Sequence, residues 1–143
     1  MISCVISHFR DLFGHVRLRP GMYGVQTYAE TASFVTGCDA ATGWLLLEGF
    51  HEWLMVQLDA ESSLTWSALI LELTLGTERP SARQLSAEAE AAAHDRLFDL
   101  LDQFLAVKEQ RDGLRQVFAA YSARRAEWDA LLAEELDDED ASP

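Results

Sequence analysis

The sequence predicts an all-α fold: a single compact domain of five or six helices with an acidic C-terminal tail. Three observations carry this. Apolar residues recur at steps of three and four along most of the chain. The segment from Ser86 to Leu136 is built largely of Ala, Leu, Glu and Arg, all strong helix formers. Pro and Gly fall between the periodic stretches more often than within them.

In the first helix, Val5, Ile6, Phe9, Leu12, Phe13 and Val16 form one apolar face from Ser3 to Arg17. Arg17 and Arg19 suit the negative end of its dipole, and Pro20 stops it. Gly21 then allows a turn, and Met22 and Tyr23 are expected to fold back as an apolar latch. Thr27 and Glu30 make a capping-box pattern for a second, short helix ended by Gly37. A third segment, "AATGWLLLEGFHEWLMVQLD", carries apolar residues around most of its circumference and is expected to be the central helix. Gly49 lies in its middle, where close packing of a neighbour would explain it. "LTWSALILELTLG" reads as helix from Trp66, Leu69, Ile70 and Leu73, with a strand as the alternative from the alternation of Leu69, Leu71, Leu73 and Leu75. Residues 76–86 read as a hinge, and Gly113 divides residues 86–136 into a hairpin of two antiparallel helices. The domain spans 1–136, and 137–143 is expected to be a mobile acidic tail.

The net charge is −13. Nucleic-acid binders present Lys and Arg clusters to phosphates, so this balance argues against nucleic acid and against anionic membranes. No apolar run is long enough to span a bilayer, and the start lacks the features of a signal peptide. The chain is expected to be cytoplasmic, with its two cysteines, Cys4 and Cys38, as buried small apolar residues.

No motif announces a reaction. Glu48 and His51 give half of a di-iron ligand set, but no second Glu-x-x-His exists. His51-Glu52 begins a zinc-protease pattern in which Met55 replaces the second His. Cys4 with His8, and Ser7 with Asp11, are helix neighbours without the glycines of a nucleophile elbow. No catalytic residue, metal or cofactor is expected. The candidates that remain are for binding. Glu48, His51 and Glu52 read first as the polar side of the central helix beside core tryptophans Trp44 and Trp53; alternatively the five form a recognition patch that combines aromatic area with directional carboxylates. Arg17, Arg19 and Tyr23 surround the proline turn, where two arginines near a helix end can grip phosphate.

"RLRPGMYG" resembles the "RPGMYIG" string of gyrase-type ATPase domains. The segment that follows lacks the family's magnesium-binding Asn and its Asp-Asn-Ala pattern, so ATP binding is not carried over. The order "RPGMY", "LLEGFHEWLMVQL", "SSLTWSALIL" resembles small uncharacterised bacterial proteins, some of which are encoded beside polymorphic-toxin and defence loci and behave like immunity proteins. That resemblance covers Arg17 to Leu75. It implies a non-catalytic inhibitor of a cognate toxin, and the acidity implies a partner with a basic surface. Two alternatives stand beside it. One is a nucleotide- or phosphate-binding enzyme or sensor using Arg17–Tyr23. The other is a homo-oligomeric structural module, a homodimer joined through the stripe Phe98, Leu101, Leu105.

Overall fold

The computed structural model describes residues 2–76 and 84–141. Its elements are α1 (Ile2–Leu18), a 3-10 turn (Pro20–Tyr23), α2 (Tyr28–Ala41), α3 (Phe50–Leu58), α4 (Trp66–Leu75), α5 (Ala87–Glu109) and α6 (Gly113–Asp140). The chain is all-helical, as its periodicity predicts, and Leu69–Leu75 is helix.

α5 is the hub, touching each of the other five helices. Its apolar residues Ala93, Leu97, Leu100, Leu101, Phe104 and Leu105 fall at helical spacing, and all are buried. The expected central helix is therefore displaced from the third segment to the fifth. The third is cut short because Gly43, Trp44 and Gly49 all adopt positive φ, which leaves α3 only nine residues. Phe98, Leu101 and Leu105 belong to this interior and are not offered to a second copy.

α1 lies antiparallel to α5, and two arginine forks tie the pair at two levels. Arg10 holds Asp102 at 2.8 Å and Glu109 at 2.7 Å, while Arg17 holds Asp99 at 2.6 Å and Asp95 at 3.5 Å. α3 is also antiparallel to α5: Lys108 reaches the Glu48 carbonyl just before α3, and Phe104, one turn earlier on α5, has its ring 5.1 Å from that of Phe50 and 6.0 Å from that of Trp53. α6 then runs beside α3 in the same direction, from Gly49 opposite Leu114 to Asp59 paired with Arg124. The expected hairpin break is present, since α5 ends at Glu109 and α6 starts at Gly113. A Cβ at Gly113 would lie 1.9 Å from the Val107 carbonyl oxygen, so only glycine fits this corner. α6 nonetheless rests mainly on α3 rather than on α5.

Four further expectations need correction. α2 runs through Gly37 to Ala41. Gly37 is exposed and interrupts nothing, while Val35 and Cys38 continue the packed face. Residues 137–140 form the last turn of α6, because the Ala-, Leu- and Glu-rich sequence contains no earlier helix stop. Cys4 lies on the outward face of α1 and is exposed, and Cys38 is only half-buried. Met22 is exposed, and only Tyr23 folds back, its ring edge-on to Phe34 at 5.8 Å. The expected hinge falls mostly on 77–83, outside the described residues.

The capping box is present in altered form. The Thr27 oxygen accepts from the Glu30 N–H, while its hydroxyl donates to the Glu30 carboxylate, both at 3.1 Å. Tyr28 follows, fully inside, and its hydroxyl donates to the Ser67 carbonyl at 2.6 Å. Burial raises this hydroxyl well above the usual tyrosine range.

Two predictions follow from this packing. Gly49 has φ +89°, and a Cβ there would stand 2.9 Å from Leu114 Cδ1 on α6. Gly49→Ala is expected to cost about 1–3 kcal/mol in urea unfolding, from left-handed strain and from pushing α6 off α3. Tyr28 stays protonated in the folded chain after the unfolded chain has ionised near the ordinary tyrosine value of about 10. Stability therefore falls as pH rises above about 10, by up to about 1.4 kcal/mol per pH unit from this group. Unfolding curves between pH 9 and 11.5 should show a steeper loss in the wild type than in Tyr28→Phe.

Candidate functional site

The segment Thr42–Gly49 joins α2 to α3, and its geometry begins at the end of α2. Gly43 adopts φ +69°. Its N–H donates to the Ala40 carbonyl at 3.0 Å, and the Trp44 N–H donates to the Asp39 carbonyl at 2.9 Å. This is a Schellman close with glycine at the left-handed position. Trp44 then repeats the left-handed conformation, at φ +65°. For a bulky side chain this costs about 1–2 kcal/mol and persists only where the surroundings enforce it.

The enforcement comes from three side chains. The Thr42 hydroxyl donates to the Asp39 carbonyl at 2.8 Å and accepts from the Leu46 N–H at 3.0 Å. The Asp39 carboxylate accepts from the Leu47 N–H at 2.9 Å. Lys108, from the end of α5, donates to the carbonyls of Leu45, Leu46 (2.9 Å) and Glu48 (3.2 Å), which uses all three of its ammonium protons. Burial pushes the Lys108 pKa down, and the carboxylates of Glu48 and Asp39 oppose that shift. Leu46 and Leu47 enter the core behind this cage. Trp44 and Leu45 are left standing in solvent, 62% and 60% exposed. The result is a rigid knuckle that displays an indole and an isobutyl group.

The predicted binding residues divide around this knuckle. Trp44 and Glu48 are on it and exposed. His51 and Trp53 turn inward instead. The His51 ring donates to the Leu64 carbonyl at 2.8 Å, and Trp53 packs on Phe50 and Phe104. Glu52 is half-buried on α3. These five residues do not form one patch, because α3 begins only at Phe50 and the residues before it are not in helical register with those after. At the other cluster, Arg17 is engaged by Asp95 and Asp99, Arg19 is exposed, and Tyr23 lies against Phe34.

Sequence reasoning missed Leu45 and the cage of Asp39, Thr42 and Lys108. The available signal was the Gly43-Trp44 pair, a helix-end glycine followed by an aromatic. It was masked by the three leucines that read as continuing helix. Cys4, Ser7, His8 and Asp11 line an open groove beside α5, and no hydrogen bond joins any two of their side chains. Among the described residues no group of three His, Cys, Asp or Glu gathers at metal-binding distance, and no helix is long and apolar enough to cross a membrane. No protein-family model, curated protein or solved structure matches this chain.

The strain at Trp44 yields a measurable consequence. Trp44→Gly removes it at the cost of glycine's greater unfolded-state entropy. A net stabilisation of about 0.5–1 kcal/mol is expected in urea unfolding, because the exposed indole contributes little burial. A destabilised variant would mean that the indole packs more than its exposure indicates.

Proposed function

We propose that the chain is a non-catalytic protein-binding module, an immunity-type inhibitor that covers the functional surface of a cognate toxin with a basic face. The observation that carries this reading is the knuckle. A strained backbone, caged by hydrogen bonds, holds Trp44 and Leu45 in solvent where the core gains nothing from them. Strain of this kind concentrates at functional positions, and a rigid, exposed Trp makes a strong interface anchor. Rigidity matters because no ordering entropy is then lost at the anchor on binding.

The charge of −13 supports a basic partner through long-range steering. A nuclease or nucleotide-transferring toxin has such a face because its substrate is polyanionic. The lack of a disulfide between Cys4 and Cys38 suits the cytoplasm, where a chain of this kind would meet its toxin. The phosphate-binding alternative has less support, since Arg17 is already paired with two carboxylates.

Cross-linking of the tagged chain in its native host tests the reading. One stoichiometric partner of basic charge is expected, with recovery falling in high salt. Trp44→Ala is expected to weaken the purified complex by at least about tenfold, the roughly 1.4 kcal/mol or more that a central anchor supplies. A partner held equally well by Trp44→Ala, or no basic partner even at low salt, would overturn it.

A further inference from the structure

The seam between α1 and α5 holds a cavity of about 470 Å³. Arg10 with Asp102 bounds it on one side and Arg17 with Asp99 on the other. Phe13 and Phe98, their ring centroids 6.1 Å apart, lie beneath it. Gly14 stands midway along its α1 wall, and nothing in the chain calls for glycine there. The position is inside a helix, where only proline is a poorer helix former, and a Cβ would meet no atom within 4 Å. The missing side chain keeps the middle of the slot open down to the backbone.

The two forks leave charge unmatched. Each sets one guanidinium against two carboxylates: Arg10 against Asp102 and Glu109, Arg17 against Asp95 and Asp99. One negative charge is therefore left over at either end of the slot. Asp99 and Asp102, the carboxylates that line it, keep side chains 49% and 58% exposed. Asp99 Oδ2 accepts no hydrogen bond from the described residues. Arg96, the other arginine of α5, forms no ion pair among the described residues and does not line the cavity.

These features select the occupant. An anion would meet two unmatched negative charges and guanidinium groups that are already engaged. A compact metal ion has no cage, since no three His, Cys, Asp or Glu among the described residues gather at metal-binding distance. A monocation answers one end only. Two cations joined by an apolar chain answer both ends and lay that chain over the phenylalanines. The forks are seven residues apart on α1 and the lining carboxylates three apart on α5. At 1.5 Å per residue the two ends lie between about 4.5 and about 10.5 Å apart. Extended four- and five-carbon diamines fall within that span. We infer that the slot binds a short linear aliphatic diamine, one ammonium on Asp99, the other on Asp102, and the methylenes passing Gly14 above Phe13 and Phe98. This goes beyond the knuckle reading and does not rest on it, because no residue of the slot belongs to the knuckle.

The test titrates the full-length, isotope-labelled chain with diaminobutane at low ionic strength and follows its amides by nuclear magnetic resonance. Shifts are expected to be confined to residues 10–17 and 95–105, with affinity falling at least about tenfold in high salt. Diaminobutane should bind at least about tenfold more tightly than butylamine, which has one cation, or diaminoethane, which is too short to reach both ends. Gly14→Leu fills the slot and should lose at least about tenfold in affinity. Its melting temperature should be no lower than the wild type's, because the new side chain enters open space and leucine is the better helix former. Equal binding of butylamine, shifts spread over the acidic surface, or wild-type affinity in a folded Gly14→Leu would overturn the inference. A peptide with two lysines that binds the same residues more tightly than diaminobutane would assign the slot to a protein partner. That result would overturn it as well.

Discussion

Burial of one side of α5 is the constraint on which the rest of the structure depends. Leu97, Leu100, Leu101, Phe104 and Leu105 are removed from water together, and no single neighbouring helix is wide enough to cover them. α1, α2, α3, α4 and α6 therefore gather around it. Magnitudes separate the roles. Each buried Leu or Phe contributes about 1.5–3 kcal/mol, whereas partly exposed ion pairs contribute about 0–1 kcal/mol. The apolar stripe supplies the stability. The forks of Arg10 and Arg17 add a polar seam that ties α1 to α5 at two levels.

The second consequence of that hub is a mismatch of lengths. α3, nine residues long, covers Phe104 and then turns away, while α6 beside it has 28. The positive-φ residues Gly43, Trp44 and Gly49 delay the start of α3 and create the knuckle before it, and at the other end α3 stops at Leu58, where Asp59 adopts φ 58°, so that α6 continues past it. The two ends of α3 thus border two exposed apolar features at different places on the molecule: the knuckle before Gly49, and the leucines of α6 beyond the level of Asp59. They differ in kind. The knuckle is caged by Asp39, Thr42 and Lys108 and is preorganised, whereas Leu131, Leu132 and Leu136 stand exposed on the far end of a helix.

Both features sit within one electrostatic field. With 24 acidic against 11 basic residues, and four of those arginines already paired internally, the molecule attracts cationic surfaces from a distance and repels polyanions. Apolar anchors then decide where an attracted surface comes to rest. Selectivity of this kind divides association rate, set by charge, from residence time, set by buried contacts.

Periodicity in the sequence determined the helical class, the stop at Leu18, the cap at Thr27 and the break near Gly113, because each depends on residues within a turn or two of one another. Acidic balance, likewise, is a sum over residues and needs no fold. Which helix lies at the centre was decided only by tertiary structure, since "WLLLEGFHEWL" and "LFDLLDQFL" are equally apolar as strings and differ in what can pack around them. The inward turn of His51 and Trp53, the outward turn of Trp44, and the use of Lys108 as a three-point clamp belong to the same class. The contacts involved reach well beyond a helical turn, 62 positions from Lys108 to Leu46 and 13 from His51 to Leu64. No local pattern encodes such a meeting. It exists only once α5 has drawn the other helices around itself.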